Sequence, residues 1–140
     1  MKVCSKTRYA LLTVMDLNMY RSTGVIKAAD IARRQNIPHK FLEQILILLK
    51  GAGIVVSRRG AKGGYSLARP ASEISLASIV RLTEESLMSS YEGMERESPC
   101  PFGEVWKDID RYVEERLESA KIQDICDRRE AIAWVPEYTI

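Results

Sequence analysis

The side chains best suited to chemistry in this sequence are basic ones. Arg58, Arg59 and Lys62 lie within residues 58–64, a stretch that also holds three glycines. This composition gives a flexible, positively charged loop. The segments at 54–57 and 65–67 are β-type and predict two paired strands around the loop. The pattern therefore predicts a basic β-hairpin, the wing of a winged helix.

Charge is distributed unevenly along the 140 residues, although the net charge is only +2. Residues 1–70 hold 13 basic and three acidic side chains, a balance of +10, whereas residues 71–140 hold eight and 16, a balance of −8. A basic half on a nearly neutral chain is typical of proteins that bind a polyanion, most often nucleic acid. Charge alone leaves a merely solvated basic face as the alternative.

Residues used in catalysis and metal binding are scarce. His39 is the single histidine, and Cys4, Cys100 and Cys126 show no Cys-x-x-Cys spacing. Histidine-based catalysis, multi-histidine metal sites, disulfide frameworks and phosphate-binding glycine motifs are therefore disfavoured, and we expect no enzyme. Without a long apolar run or the features of a secretory signal, we expect a cytoplasmic protein with no membrane association.

The elements that must position the basic loop are helices. Apolar periodicity predicts one at 7–20, a short one at 28–35 and another at 38–50, with a turn at 36–38. The short helix is expected to carry Arg33 and Arg34 outward. Two short helices joined by a tight turn are typical of a helix-turn-helix. Ser75 is expected to cap a further helix at 76–85. The predicted fold class is mainly α with a small β-wing: a winged helix-turn-helix domain at 1–85.

The C-terminal part has a different character. Residues 86–101 lack periodicity and predict a long loop, residues 102–120 predict the longest helix, and a short helix at 122–130 and a tail at 131–140 follow. We expect residues 1–85 to close their own core, so that the long helix and the following segment, 102–140, form a dimerisation region. The predicted dimer interface comprises Val105, Trp106, Ile109, Tyr112, Val113 and Leu117.

Four short motifs occur in a specific order. They are Lys6-Thr7-Arg8-Tyr9-Ala10, Phe41-Leu42-Glu43-Gln44, Gly53-Ile54-Val55 and Arg58-Arg59-Gly60-x-x-Gly63-Gly64-Tyr65. With these motifs the sequence resembles, over essentially its whole length, the bacterial winged-helix regulators typified by IscR and CymR, the Rrf2 family. The resemblance implies a homodimeric transcription regulator that binds double-stranded DNA, with the helix at 38–50 in the major groove and the wing in the adjacent minor groove.

Base readout is expected near the start of that recognition helix. Glu43 can accept from cytosine N4, Lys40 can donate to guanine, and His39 can do either. We expect Leu42 in the core, while Phe41 falls where the family has an aromatic beside DNA and is left open between the two. Arg59 is expected in the minor groove. The further expected phosphate or groove contacts are Arg8, Arg33, Arg34, Arg58 and Lys62.

Many members of the family sense through an iron–sulfur cluster, and the resemblance places its ligands in the loop before the long helix. Cys100, six residues before Trp106, matches the third cysteine, but the other two cysteine positions are Met88 and Met94, and the histidine position is Gly103. A cluster needs about four ligands, so we expect no cofactor and no metal.

Three modes of control stay open. Cys100 could act as a thiol sensor, a partner protein could control the regulator, or DNA binding could be independent of any ligand. We expect Cys4 and Cys126 to be structural or incidental, and Cys126 to be buried on its short amphipathic helix.

The leading hypothesis is a dimeric, sequence-specific repressor or dual regulator, with redox or partner modulation through the loop at Cys100 as one of the open modes of control. The alternative is a winged-helix interaction module that binds a partner protein, since an acidic partner would explain the basic half equally well.

Overall fold

Residues 2–84 and 101–133 are described by a computed structural model. Within them the chain forms six α-helices and one antiparallel pair of strands, as the predicted fold class requires. In chain order these are α1 (Ser5–Met19), α2 (Ala28–Gln35), α3 (His39–Gly51), β1 (Val55–Arg58), β2 (Gly64–Leu67), α4 (Leu76–Thr83), α5 (Gly103–Ser119) and α6 (Ile122–Ala133).

The predicted helix-turn-helix is α2 followed by α3. Asn36 ends α2 in the left-handed conformation with φ of 52°, which asparagine tolerates better than most residues. The Ile37 N–H donates to Ala32 O at 3.0 Å, and Pro38 caps α3, where its missing N–H leaves no donor unsatisfied. The turn therefore keeps the Ile37 N–H hydrogen-bonded to the end of α2.

The predicted wing is also present. β1 and β2 pair with Val55 opposite Leu67 and Arg58 opposite Gly64, and Ile26 adds two hydrogen bonds to Tyr65, of 2.8 and 2.7 Å. A side chain at Gly64 would place its Cβ 2.6 Å from Ile26 O. This position therefore requires glycine, because the Ile26 backbone lies directly against it.

One hydrophobic core joins the N-terminal helices to the last one. Ile122 and Cys126 of α6 lie in the same buried cluster as Leu17, Ile31 and Leu42. The expectation that residues 1–85 close the core alone is therefore wrong, because α6 returns to pack on α1. Residues 131–133, expected in a tail, belong to α6. The expected burial of Cys126 and Leu42 is confirmed.

Short contacts fix α5 and α6 to α4. Arg81 of α4 pairs with Glu114 and, at 3.2 Å, with Glu118 of α5. At the first residue of α4, the Leu76 N–H donates to Ala120 O at 2.8 Å, and just before the helix Ile74 O accepts from the Ile122 N–H at 2.9 Å. The turn between α5 and α6 is therefore hydrogen-bonded to the start of α4. The Ser75 cap on α4 is as predicted, with its hydroxyl accepting from Ser78 N.

A buried ion pair connects α1 to α2. Asp16 is fully buried and accepts from Arg34 Nε at 3.0 Å, Arg34 Nη2 at 2.8 Å and Gln35 Nε2 at 2.8 Å. The guanidinium also lies over the Tyr20 ring, 3.9 Å from its centroid. Hydrogen bonding to Asp16 raises the pKa of Arg34. The pair therefore satisfies the buried carboxylate with two charge-assisted hydrogen bonds.

A second polar cluster holds the start of α1 against the end of α4. The Glu84 carboxylate accepts from the Cys4 backbone N–H at 2.8 Å and from the Thr7 hydroxyl. Thr7 also shares a 2.7 Å hydrogen bond with the Thr83 hydroxyl. The hydrogen bonds from Thr7 and Cys4 lower the pKa of Glu84, and a carboxylate here is further favoured by the α1 dipole.

We predict that Arg34→Ala destabilises the fold by about 3 kcal/mol, because removing one member of a buried pair leaves the other charge uncompensated. Arg33→Ala is the matched control, since Arg33 is exposed and pairs with half-exposed Asp30, an interaction worth at most about 1 kcal/mol. Urea denaturation measures both. Equal losses for the two variants would contradict the structural role of the Asp16–Arg34 pair.

The Glu84 cluster predicts a pH dependence of stability. The folded pKa of Glu84 lies below its ordinary value of 4.5, so its stabilisation is complete above that pH and is lost as the pH falls through the folded pKa. Urea denaturation of the wild type and of Glu84→Gln between about pH 3 and pH 7 spans the titration of carboxyl groups. The free energy of unfolding should fall less in acid for the variant than for the wild type. Parallel curves would contradict this prediction.

Candidate nucleic-acid interface

The sides of α3 are assigned by burial. Its apolar residues face the core and leave an outward face that runs along the whole helix. The buried residues are Leu42, Ile45, Leu46 and Leu49, and the exposed ones on the outward face are Lys40, Glu43, Gln44 and Ile47. Residues at i, i+3, i+4 and i+7 share one side of a helix. We call these four exposed residues the α3 outer face.

Two of the predicted base-reading residues lie on the α3 outer face, and a third begins the helix. His39 Nδ1 lies 3.5 Å from Glu43 Oε1, and both side chains are more than half exposed. Lys40 is exposed beside them. The start of α3 therefore presents a carboxylate acceptor, an ammonium donor and an imidazole to solvent, the set of groups that can read base edges.

Phe41 occupies a position between the core and the outer face. Its side chain is 52% exposed, and its ring centroid lies 6.1 Å from that of Tyr9 on α1. The sequence left open whether Phe41 lies in the core or at the DNA-facing surface. Full burial is wrong, because only one side of the ring packs against Tyr9 of α1. The exposed part of the ring is free to contact a ligand of α3.

The wing presents its three bases to solvent. Arg58 ends β1, while Arg59 and Lys62 lie in the connecting loop, and all three are exposed. A side chain at buried Gly63 would clash with the Arg58 carbonyl oxygen, so the loop folds tightly beneath these bases. The inner part of the hairpin loop is therefore compact and uncharged, and its outer side carries the three positive charges.

Two open clefts flank the wing, and both are lined by basic groups. One, of about 540 Å³, has Lys62 of the loop together with Lys27 and Arg34 around α2. The other, of about 740 Å³, has Arg58 with Arg21 and Arg69. The structure thus brings bases that are distant in sequence to the same hairpin, as a polyanion-binding surface requires.

Arg33 and Arg34, two further predicted phosphate contacts, lie on α2, and only Arg33 has the expected orientation. Arg33 points outward with a 74% exposed side chain. Arg34 was expected to point outward as well, but its side chain is only 25% exposed because Asp16 and Tyr20 hold it against α1. The outward orientation of Arg34 is therefore wrong, and its guanidinium has a structural partner.

Arg8 lies apart from the helix-turn-helix. It is exposed and borders an apolar groove of about 380 Å³ whose lining includes Leu12 and Met15 of α1 and Ile125 of α6. Its contact with phosphate stays a prediction.

Two residues of the α3 outer face were missed by the sequence interpretation. Gln44 can bind adenine through paired hydrogen bonds, and Ile47 is the largest apolar group on this face. Helical periodicity alone contained the signal, because positions 44 and 47 lie opposite the apolar set that begins at Leu42.

The predicted dimer stripe on α5 is mostly uncovered. Val105, Trp106, Ile109 and Tyr112 are all exposed, as is Phe102 just before the helix, whereas Val113 and Leu117 are half-buried within the protomer. Contiguous exposed apolar surface of this kind marks an interaction site.

The cluster ligands implied by the resemblance do not fit the residues of this chain. Gly103 is the buried first residue of α5 and offers no side-chain ligand, and Cys126 is buried in the core. Over residues 2–84 and 101–133 no group of three His, Cys, Asp or Glu side chains is arranged to hold a metal ion. Cys100, Met88 and Met94 lie outside the described residues.

No helix in the described part of the chain is long and apolar enough to cross a membrane.

Comparison with known proteins agrees with this geometry. The Rrf2 family model, whose description is iron-dependent transcriptional regulator, matches residues 3–128. A helix-turn-helix transcriptional regulator of Neisseria meningitidis serogroup A is 34% identical over 133 residues, which are 92% of this chain and 90% of that protein.

Two solved structures are similar over nearly the whole chain. IscR of T. potens has a TM-score of 0.80 at 32% identity and covers 94% of this chain and 90% of its own. CymR, the global cysteine regulator of B. subtilis, has a TM-score of 0.80 at 33% identity and covers 91% and 98%. The basic wing, the exposed α3 outer face and these matches together show that the chain belongs to the Rrf2 family of DNA-binding transcription regulators.

Proposed function

We propose that this regulator is a homodimeric, sequence-specific repressor that reads duplex DNA with the α3 outer face and the wing. The observation that carries the proposal is the exposure of Lys40, Glu43 and Gln44 on one side of α3, beside a hairpin with three exposed bases. The groups on α3 can distinguish base pairs in the major groove, whereas the bases of the wing neutralise phosphates or enter the minor groove.

Specificity and affinity are divided between these two elements. Glu43 accepts hydrogen bonds and carries a negative charge, so it favours cytosine N4 over other base edges and weakens contact with phosphates. Arg59 in the wing is attracted to the negative potential of a narrow minor groove, with Arg58 and Lys62 on neighbouring phosphates. The proposal thus assigns sequence readout to α3 and shape readout to the wing.

Dimerisation follows from the exposed stripe on α5. Large apolar side chains in contact with water favour association, and a two-fold dimer presents the same patch on both subunits. Two α3 helices would then bind half-sites about one helical turn apart, roughly 34 Å. A dimer that covers both half-sites of a promoter excludes RNA polymerase, which is the basis for proposing repression.

We propose that the regulator works without a resident iron–sulfur cluster. Support comes from the donor set, because two cysteine positions are methionine and the histidine position is glycine. A redox role for the Cys100 thiol, or control by a partner protein, stays a prediction.

Selection of duplexes from a random library by the protein itself tests the proposal. We expect an enriched sequence with two half-sites. Glu43→Ala should lose discrimination at one base pair of each half-site by about 1–3 kcal/mol, whereas its non-specific affinity should not fall, because a negative charge that repels phosphates is removed. Arg59→Ala should instead weaken binding most where the flanking minor groove is narrow. Competition binding with operator variants measures both effects.

Glu73→Ala is the matched control for Glu43→Ala, because Glu73 is an exposed carboxylate outside α3 and its removal changes the net charge equally. Unchanged base preferences in Glu43→Ala would refute its assignment to readout. Failure to enrich any duplex would refute DNA recognition and favour a module that binds a partner protein.

The dimer makes a separate prediction. Ile109→Asp should weaken dimerisation by roughly 100-fold or more, because an unpaired carboxylate buried at an interface costs several kcal/mol. Specific DNA binding should weaken with it. Since Ile109 is exposed in the protomer, the fold should persist.

Sedimentation velocity and circular dichroism measure the two properties. Ser119→Asp adds the same charge to α5 at an exposed position outside the stripe and should remain dimeric. A dimer that survives Ile109→Asp would exclude this stripe as the interface.

A further inference from the structure

Ile47 has no role in the protomer or in the contacts proposed above. Its side chain is 71% exposed, although the neighbouring Ile45, Leu46 and Leu49 are buried. The other large exposed apolar side chains include the stripe on α5, which the dimer explains. Ile47 instead lies on the α3 outer face, whose other three members are polar or charged.

Helix geometry places Ile47 within the α3 outer face. At 100° per residue, position 47 lies about 20° from Lys40 around the axis, between the directions of Glu43 and Gln44. It lies about 10 Å further along the axis than Lys40, roughly two turns of the helix. A helix that inserts Lys40 and Glu43 therefore carries Ile47 into the same groove.

The physical chemistry of this position favours an apolar ligand. An exposed isoleucine leaves hydrocarbon in water, and its β-branched side chain lowers helix propensity. Lysine or glutamate would form the helix better and would end in a charged group that water solvates. In the major groove the one apolar group on a base edge is the thymine 5-methyl.

We infer that Ile47 is a specificity-determining residue that contacts a thymine 5-methyl group in the major groove. It selects a T·A pair in each half-site beyond the positions read by Lys40 and Glu43. The inference rests on the proposed function, because it requires α3 to bind the groove.

Deoxyuridine substitution isolates this contact. Uracil pairs with adenine as thymine does and lacks only the methyl, so hydrogen bonding in the groove is unchanged. In the duplex selected by the protein, each thymine is replaced in turn by deoxyuridine in both half-sites, and affinities are measured for the wild type and Ile47→Ala.

At one thymine per half-site, we expect the wild type to lose about fourfold in affinity for each methyl removed. This is the free energy of burying one methylene-sized group, converted at roughly 1.4 kcal/mol per tenfold change in affinity. Ile47→Ala should bind the thymine duplex more weakly and show no further loss with deoxyuridine at that position. Val56→Ala removes another exposed aliphatic side chain, on β1, and should keep the full sensitivity to deoxyuridine.

The inference is overturned if the selected half-sites contain no required thymine, if deoxyuridine leaves the wild-type affinity unchanged, or if Ile47→Ala keeps the same sensitivity. Thermal melting of Ile47→Ala verifies that the fold is intact, as expected for an exposed helix position. If no duplex is bound by the wild type, the proposed function itself fails. Binding of DNA by both proteins without a methyl effect refutes only the role of Ile47.

Discussion

The burial of one side of α3 is the constraint on which the rest of the structure depends. Leu42, Ile45, Leu46 and Leu49 are each at most 2% exposed, and burying such a side chain contributes about 1.5–3 kcal/mol. Turning α3 about its axis would expose several of them at once. The core therefore determines the direction in which the α3 outer face points.

α1 provides the surface on which α3 and its neighbours are positioned. It packs on α3, contacts Phe41 through Tyr9, pairs Asp16 with Arg34 of α2 and joins Glu84 through Thr7. The Asp16–Arg34 pair withdraws one positive and one negative charge from the surface. The excess of +10 in residues 1–70 consequently remains on the other charged side chains, which include those of the wing and α3.

The acidic half of the chain has a complementary effect. α5 carries Glu114 and Glu118, which pair with Arg81 of α4, and residues 71–140 have a balance of −8. Separated charges of opposite sign orient a protein in the field of a polyanion. For the function proposed above, this charge separation favours encounters in which the basic hairpin faces the DNA.

Much of the fold followed from local signals. The bounds of α2, the turn before Pro38, the Ser75 cap and the glycine-rich wing are each determined by residues close together in the chain, so the sequence alone predicted them. Exposure of Glu43 and burial of Leu42 followed from helical periodicity.

The inward orientation of Arg34 could not be predicted in this way, because its partner Asp16 is 18 residues distant. The Glu84 cluster and the return of α6 to α1 connect residues separated by 76 positions or more. Only the tertiary structure decides such contacts, because they depend on which helix faces meet once the apolar sides have packed.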